Sequence, residues 1–146
     1  MSHELVNPQG LPPARGFSHA VIAAPGRIVY LGGQTAHGPD GSLEATTTAE
    51  QFDRAAANLV LALEGAGARP EDLVSVQIFV TDADEYRASL GRIGVIWRAR
   101  LGRRYPAMAL FEVAGVFDAE AKVELVGIAV IPSAGEASEA RTAPER

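Results

Sequence analysis

The chain has no cysteine among its 146 residues. This absence excludes disulfide bonds, a thiol nucleophile, and zinc or iron–sulfur sites built on cysteine. The three histidines, His3, His19 and His37, do not have the spacing typical of metal ligands, so we expect no metal site. The lack of cysteine is also typical of cytosolic proteins, in which disulfide bonds are rare.

The sequence also has no excess of positive charge and no long apolar run. Its formal net charge is −5, whereas a nucleic-acid-binding surface usually carries a basic stripe. No apolar run reaches the ~18 residues of a membrane-spanning helix, and residues 1–16 have no apolar core like that of a signal peptide. We therefore expect a cytoplasmic protein that does not enter a membrane, and the charge argues against a nucleic-acid partner.

What is present has the composition of one folded domain. Hydrophobic residues make up 47% and charged residues 21% of the chain, which is the balance of an ordinary globular protein. Residues 132–146 are rich in Ala, Glu, Ser and Pro and show no core pattern. The sequence therefore predicts a domain over 1–131, which opens with an irregular arm, and a disordered tail over 132–146.

Apolar periodicity predicts two helices and five strands. Apolar residues at helical spacing predict helices over 46–68 and 84–101. Short apolar runs predict strands at 19–24, 27–33, 72–82, 107–115 and 121–131. The first two strands flank Pro25-Gly26, which is typical of a β-hairpin, and the last two strands are also expected to form a hairpin.

The first helix has the clearest local signals. Thr47 with Glu50 and Thr48 with Gln51 are both candidates for a capping box at its start. Its apolar stripe is predicted to consist of Phe52, Ala55, Ala56, Leu59 and Leu63. This stripe should face the core, because residues at this spacing share one side of a helix.

The order β-β-α-β-α-β-β predicts a mixed α+β sheet with both helices on one face. The strand at 72–82 is apolar on both sides, so we expect the open face of the sheet to be covered by association with other subunits. Gly91 and Gly94 each lower the stability of the second helix by about 1 kcal/mol relative to alanine. We expect these glycines to allow the close approach of a neighbouring backbone.

Five segments of the chain carry a family resemblance. They are GFSHAV (16–21), IVYLGGQT (28–35), QFDRAAANLVLALEGAGARPEDLVSVQIFVTD (51–82), YPAMALFEV (105–113) and KVELVGIAV (122–130). Together they resemble the RidA/YjgF family of enamine/imine deaminases, over roughly residues 5–131. The resemblance implies a chorismate-mutase-like fold and a homotrimer that binds small molecules in clefts between subunits. It also implies hydrolysis of enamines and imines to 2-keto acids and ammonia without a metal or organic cofactor.

The sequence departs from this family at several site positions. Deaminating members have an arginine that grips the substrate carboxylate where this chain has Met108, and methionine has neither a charge nor a donor. They often have tyrosine where this chain has Phe17, serine where it has Gly32, and asparagine near Leu90 or Gly91. Each change replaces a polar group with an apolar or small one. The pattern indicates either a pocket with altered specificity or a pocket that is no longer used.

Glu124 stands where the resemblance implies a glutamate that positions or activates water, although Val126 replaces the second glutamate of the family's Glu-x-Glu pattern. The alternative for Glu124 is a carboxylate that is exposed or paired with Lys122. Gln34 is expected to hold the backbone near the cleft in place through hydrogen bonds. The resemblance also implies that Gly32 and Gly91 lie at the substrate-binding site.

Other residues complete the predicted cleft. Phe17, Met108 and Leu110 are expected to form an apolar wall. Arg103 or Arg104, just before the strand that carries Met108, is a candidate to replace the missing guanidinium. The cluster of Arg98, Arg100, Arg103 and Arg104 is otherwise interpreted as a solvated helix end whose cations favour the helix dipole.

Three functions remain open at this point. The first is a trimeric hydrolase or deaminase that acts on an imine, enamine or related C–N compound other than a typical 2-imino acid. The second is a trimer that binds a small metabolite or regulates a partner without catalysis. The third is an RNA-directed activity, because some relatives carry an endoribonuclease label, and the acidic net charge argues against it.

Overall fold

The computed structural model describes residues 2–134, so the predicted tail lies outside the described residues from 135 onward. The strands and helices are β1 (Glu4–Val6), β2 (Ala20–Ile22), β3 (Gly26–Tyr30), α1 (Thr48–Gly65), β4 (Leu73–Val80), α2 (Ala83–Ala88), α3 (Leu90–Leu101), β5 (Ala107–Glu112) and β6 (Val123–Pro132). Within residues 2–134, the helices are too short or too polar to cross a lipid bilayer.

The main sheet has four strands in the order β3-β6-β4-β5. Strand β6 is antiparallel to both of its neighbours, and β5 is parallel to β4. Helices α1 and α3 pack on one face, where Phe52, Leu59 and Trp97 meet buried side chains of β4 and β6. The predicted mixed α+β sheet with its helices on one face is therefore confirmed.

Helix α1 forms as the local sequence predicts. The Glu50 N–H donates to Thr47 Oγ1 at 3.2 Å, and Glu50 Oε2 accepts from the Thr47 N–H at 3.4 Å, which completes a capping box. The five residues of the predicted apolar stripe are all fully buried. Burying one large apolar side chain stabilises a fold by about 1.5–3 kcal/mol, so this stripe holds the helix on the sheet.

The predicted hairpin at Pro25-Gly26 is wrong. Strand β2 pairs with β1, with Leu5 opposite Val21, and β3 pairs with β6 instead. His3 is the physical reason, because its buried ring accepts from the Ala24 N–H at 2.9 Å and contacts the Val130 oxygen at 2.9 Å. The ring thereby fastens the N-terminal arm to the segment that follows β2 and to β6, and the arm itself contains β1, so it is not wholly irregular.

The last predicted hairpin is also wrong. Strands β5 and β6 do not pair with each other, because β4 lies between them. The two helices α2 and α3 separate β4 from β5 along the chain. Such a helical crossover places the two strands side by side and parallel.

The second predicted helix is two helices, with a break at Ser89. This residue ends α2 and begins α3, and its φ and ψ of −101° and 8° lie outside the α-helical region. A Cβ at Gly91 would meet nothing within 4 Å among the described residues, and a Cβ at Gly94 would meet only Arg98. The expected close approach of a neighbouring backbone is therefore not made within one chain.

The face of the sheet opposite the helices carries large exposed side chains. Tyr30 is 76% exposed and Ile28 is 58% exposed. Phe79 of β4 and Phe111 of β5 stack on this face with their ring centroids 5.5 Å apart. Glu124 pairs with Phe79 in the register and shares the same face. We call this surface the open face.

Candidate functional site

A cavity of about 500 Å³ lies between β5, α3 and the segment that precedes β2. Its wall consists of Arg15, Gly16, Phe17, Ile78, Tyr86, Leu90, Ile93, Gly94, Trp97, Arg98, Tyr105, Met108, Ala109 and Leu110. The wall is mainly apolar and aromatic, and none of the described residues contributes a carboxylate or a histidine to it. We call it the main cavity. Its size is within the range of small-molecule sites.

Ser18 positions one side of the main cavity. This residue is 3% exposed, and its N–H donates to the Pro106 oxygen at 2.9 Å. Its hydroxyl donates to the Tyr105 oxygen at 2.7 Å. Gly16 turns the chain just before Phe17 with a φ of 74°, a conformation that a side chain would strain. Phe17 is thereby held beside the start of β5.

Met108 lies on the face of β5 that points toward the helices. It is opposite Val76 in the register, is half-buried, and packs against the hydrophobic core. It lines the main cavity together with Phe17 and Leu110. The structure thus brings the three residues of the predicted apolar wall together, while their role in binding a substrate stays a prediction.

Glu124 lies on the other side of the sheet. It is half-buried on the open face, and a Cβ built on Gly33 would overlap its carboxylate. Lys122 does not pair with it, because the Lys122 ammonium contacts Glu85 at 3.2 Å. Since β4 separates β5 from β6, one chain by itself does not place Glu124 and Met108 in one cleft.

The other predicted binding residues lie apart from the main cavity. Gln34 pairs with Leu125 through both backbone groups, at 2.8 and 2.9 Å, and its side chain lines a second cavity of about 510 Å³. Gly32 lies two residues before it in the chain, and the Gly32 oxygen accepts from Gln34 Nε2 at 3.4 Å. Gly91 is exposed on α3, and the neighbouring Leu90 lines the main cavity instead. No observation assigns a ligand to these three residues.

The arginines at the main cavity are not the two that the sequence suggested. Arg104 donates to the His3 backbone oxygen, and Arg103 is exposed outside the cavity wall. Arg15 and Arg98 line the cavity instead. The sequence contains no signal for this pair, because the two residues are far apart in the chain and meet only through the fold.

Two polar side chains of the main cavity have unusual surroundings. Burial raises the pKa of Tyr86 to about 12, so its phenol is neutral and can donate a hydrogen bond. The indole Nε1 of Trp97 is buried and has no hydrogen-bond partner in the part of the chain that the structure describes. This nitrogen is closed to solvent, so a ligand in the cavity would meet Trp97 through other atoms of the ring.

A chain of polar side chains stands beside the second cavity. Thr35 Oγ1 lies 2.6 Å from His37 Nδ1, and His37 Nε2 lies 3.0 Å from Asp118 Oδ2. Asn58 donates to the Thr35 and His37 oxygens, both at 2.8 Å. The pKa of Asp118 is held below its usual range, first by the Glu120 N–H and then by His37. These bonds fix the loop after β3.

His19 forms ordinary hydrogen bonds. Its N–H donates to Asn7 Oδ1 at 2.8 Å, and its ring Nε2 lies 2.7 Å from the Pro12 oxygen. These contacts tie the N-terminal arm together. Among residues 2–134, no group of three or more acidic or histidine side chains is arranged to hold a metal ion.

Known proteins share this fold and part of this sequence. The family model described as endoribonuclease L-PSP matches residues 8–131. YyfB, a Rid-family protein of unknown function from Yersinia pestis, is 29% identical, with 90% of this chain and 100% of that chain covered and a TM-score of 0.81. RidA from the Antarctic bacterium Psychrobacter sp. is 25% identical, with 88% and 99% covered and a TM-score of 0.63. No curated protein matches the chain significantly.

Proposed function

Because the chain belongs to the RidA/YjgF family, whose model is described as endoribonuclease L-PSP, we propose that it is a homotrimeric hydrolase or deaminase that needs no cofactor. Its substrate is an imine, enamine or related C–N small molecule other than a typical 2-imino acid. Family membership supports an imine-related or endoribonuclease-like role in general, and the details of the site favour this narrower function.

The observation that carries the proposal is the apolar main cavity around Met108. The family resemblance places the guanidinium that grips a 2-imino acid at this position, but Met108 offers only a thioether beside Phe17 and Leu110. A carboxylate next to the reacting carbon would be desolvated there without a partner, which is costly. A substrate with an apolar group at this point would fit the wall.

The open face supports assembly into a trimer. Tyr30, Ile28 and Phe111 expose large apolar side chains there, and covering their apolar surface would contribute about 25 cal/mol for each Å² removed from water. Glu124 lies on the same face. In the proposed trimer, the neighbouring subunit that packs on this face brings its own main cavity to Glu124, so that Glu124 of one subunit and Met108 of the next line one cleft.

In the proposed reaction, Glu124 acts on a water molecule in that cleft. The carboxylate accepts a proton from water as the water oxygen bonds to the carbon of the C=N group. The nitrogen gains protons and leaves as ammonia as the C–N bond breaks and a C=O bond forms. The net reaction adds one water molecule and releases one ammonia, so it requires neither an oxidant nor a reductant.

The test measures the hydrolysis of imines generated from several primary amines, which have no carboxylate next to the C=N carbon, with purified trimer and with the Glu124→Gln variant. We expect acceleration over buffer for at least one imine with a bulky apolar side chain, and a loss of about 10²-fold or more in Glu124→Gln. Glu64→Gln, which changes an exposed glutamate of α1, is the matched control. No acceleration for any imine, with equal rates for both variants, would refute the proposal.

One observation favours a binding function without catalysis as the second candidate. Glu124 lacks the second glutamate of the family's Glu-x-Glu pattern, because Val126 occupies that position. Val126 lies on the open face, opposite Gln77. Native mass spectrometry of the purified protein separates the two functions. A small molecule that stays bound and unchanged over time supports binding alone, whereas conversion of the added imine supports catalysis.

The endoribonuclease description of the family leaves one more activity to test. In the part of the chain that the structure describes, only two cationic side chains line the main cavity, and the chain has a net charge of −5, so little positive surface is available for a phosphate backbone. We expect no cleavage of single-stranded RNA by protein freed of contaminating nucleases. Cleavage that is lost in Glu124→Gln would contradict this expectation.

A further inference from the structure

The charges of the main cavity all have the same sign. Among residues 2–134, Arg15 and Arg98 are the only ionisable groups that line it apart from the phenols of Tyr86 and Tyr105, and no carboxylate of these residues lines it. Neither arginine forms an ion pair among residues 2–134, whereas Arg100, two residues after Arg98, pairs with Asp53 at 2.8 Å. The cavity therefore has a positive side without a protein counter-charge.

Local structure places both arginines at the wall of the cavity. Arg98 Nη1 lies 3.5 Å from the place that a Cβ of Gly94 would occupy, so the guanidinium lies over this glycine on the wall. Arg15 directly precedes the turn at Gly16, which Ser18 fastens to the start of β5. Both arginines are exposed, so the positive charge is at the mouth of the cavity.

The interior of the main cavity suits an apolar ring or branched chain. Trp97 is 4% exposed and stacks on Tyr105 with ring centroids 6.2 Å apart. Ile93 and Met108 complete this apolar surface.

From these observations we propose that the main cavity binds a small carboxylate with an apolar body, and that Arg15 and Arg98 hold the carboxylate at the mouth. The apolar body points inward, toward Met108 and Trp97. This orientation is the reverse of the one that an arginine at position 108 would give. This inference rests on the proposed function, because the ligand is taken to be the substrate of that reaction. In this orientation the carboxylate of the substrate lies away from the reacting C–N bond.

The test uses 3-phenylpropionate and its neutral counterpart 3-phenylpropan-1-ol as probes. The chain has one tryptophan, and because Trp97 lines the cavity, its fluorescence reports binding directly. We expect the acid to bind about 10-fold or more tighter than the alcohol, since a charge-assisted contact to a guanidinium is stronger than a neutral one. The preference should fall as salt is added, because both arginines are exposed.

Variants assign the preference to the two arginines. Arg15→Gln and Arg98→Gln should each weaken binding of the acid by about 3- to 10-fold and leave binding of the alcohol unchanged. Arg92→Gln, on an exposed part of α3 outside the cavity wall, should change neither. Phenyl phosphate is the third probe, and a preference for it over the carboxylate would overturn the assignment of the anion.

Equal affinity for acid and alcohol, no binding of either, or an unchanged preference in the double arginine variant would each overturn the inference. Failure of the proposed function is separate from these outcomes. Acid binding that depends on the arginines, without turnover of any imine, supports the inference and refutes the catalysis. If neutral imines are turned over equally well by both arginine variants and the acid does not bind, the proposed catalysis is supported and the inference is refuted.

Discussion

Replacing Met108 by arginine tests whether this one residue excludes 2-imino acids. The side chain is half-buried and packs on the core, but it also borders a cavity of about 500 Å³. A guanidinium can therefore enter the cavity and leave the core packing largely in place. We expect Met108→Arg to fold, with a loss of about 1–3 kcal/mol in the free energy of unfolding.

The gain in function can be estimated from the strength of the new contact. A hydrogen bond to a charged group contributes about 1.5–3 kcal/mol, and 1.4 kcal/mol corresponds to a tenfold change. If the remaining site is intact, Met108→Arg should raise kcat/KM for 2-iminopropionate by about 10- to 150-fold. The assay follows ammonia release from the imine generated from alanine, alongside thermal unfolding of the variant.

Met108→Leu is the matched control, because it conserves volume without adding a charge. It should retain stability to within about 1.5 kcal/mol and gain no activity toward 2-iminopropionate. A Met108→Arg variant that is folded and trimeric but gains no activity would refute the reasoning. The other departures from the family, at Phe17 and Gly32, would then be responsible for the exclusion.

Three further predictions follow from single contacts. Gly33→Ala should push the Glu124 carboxylate aside, which lowers the rate of imine hydrolysis with little change in the melting temperature. Unchanged kinetics would contradict the placement of Glu124 at the reacting group. Glu85→Gln should lower the free energy of unfolding by about 0.5–1 kcal/mol, seen by chemical denaturation, because the neutral amide keeps an acceptor for the Thr48 N–H but loses the ion pair with Lys122 at 3.2 Å. Asp118→Asn should lower the melting temperature at neutral pH, and the difference should vanish in acid, because a depressed carboxyl pKa stabilises the fold only above that pKa. A difference that is constant with pH would exclude this cause.

Helix α1 shows what can be predicted from sequence. Its capping box uses Thr47 and Glu50, which are three residues apart, and its buried stripe follows the 3.6-residue period. Interactions of this kind are local, so the sequence contains both partners within one turn. The boundary between α2 and α3 at Ser89 was missed, because a serine is compatible with a helix interior and only the φ and ψ angles reveal the break.

Strand pairing was predicted less well. The turn signal at Pro25-Gly26 is real, but β2 and β3 separate there because His3 binds Ala24 and Val130. The contact between His3 and Val130 joins residues 127 positions apart. A hydrogen bond over such a distance leaves no periodic pattern, so neither β1 nor its pairing with β2 could be predicted.

From the sequence alone, a single domain, helix α1 and the family of the chain could be predicted. The sequence also shows that Met108 stands where deaminating relatives have arginine. Only the tertiary structure decided which side chains share a site. Alternate residues of a strand point to opposite faces, but the register among β4, β5 and β6 sets which face meets the helices. That register places Met108 at a cavity with Arg15 and Arg98, and Glu124 on the open face.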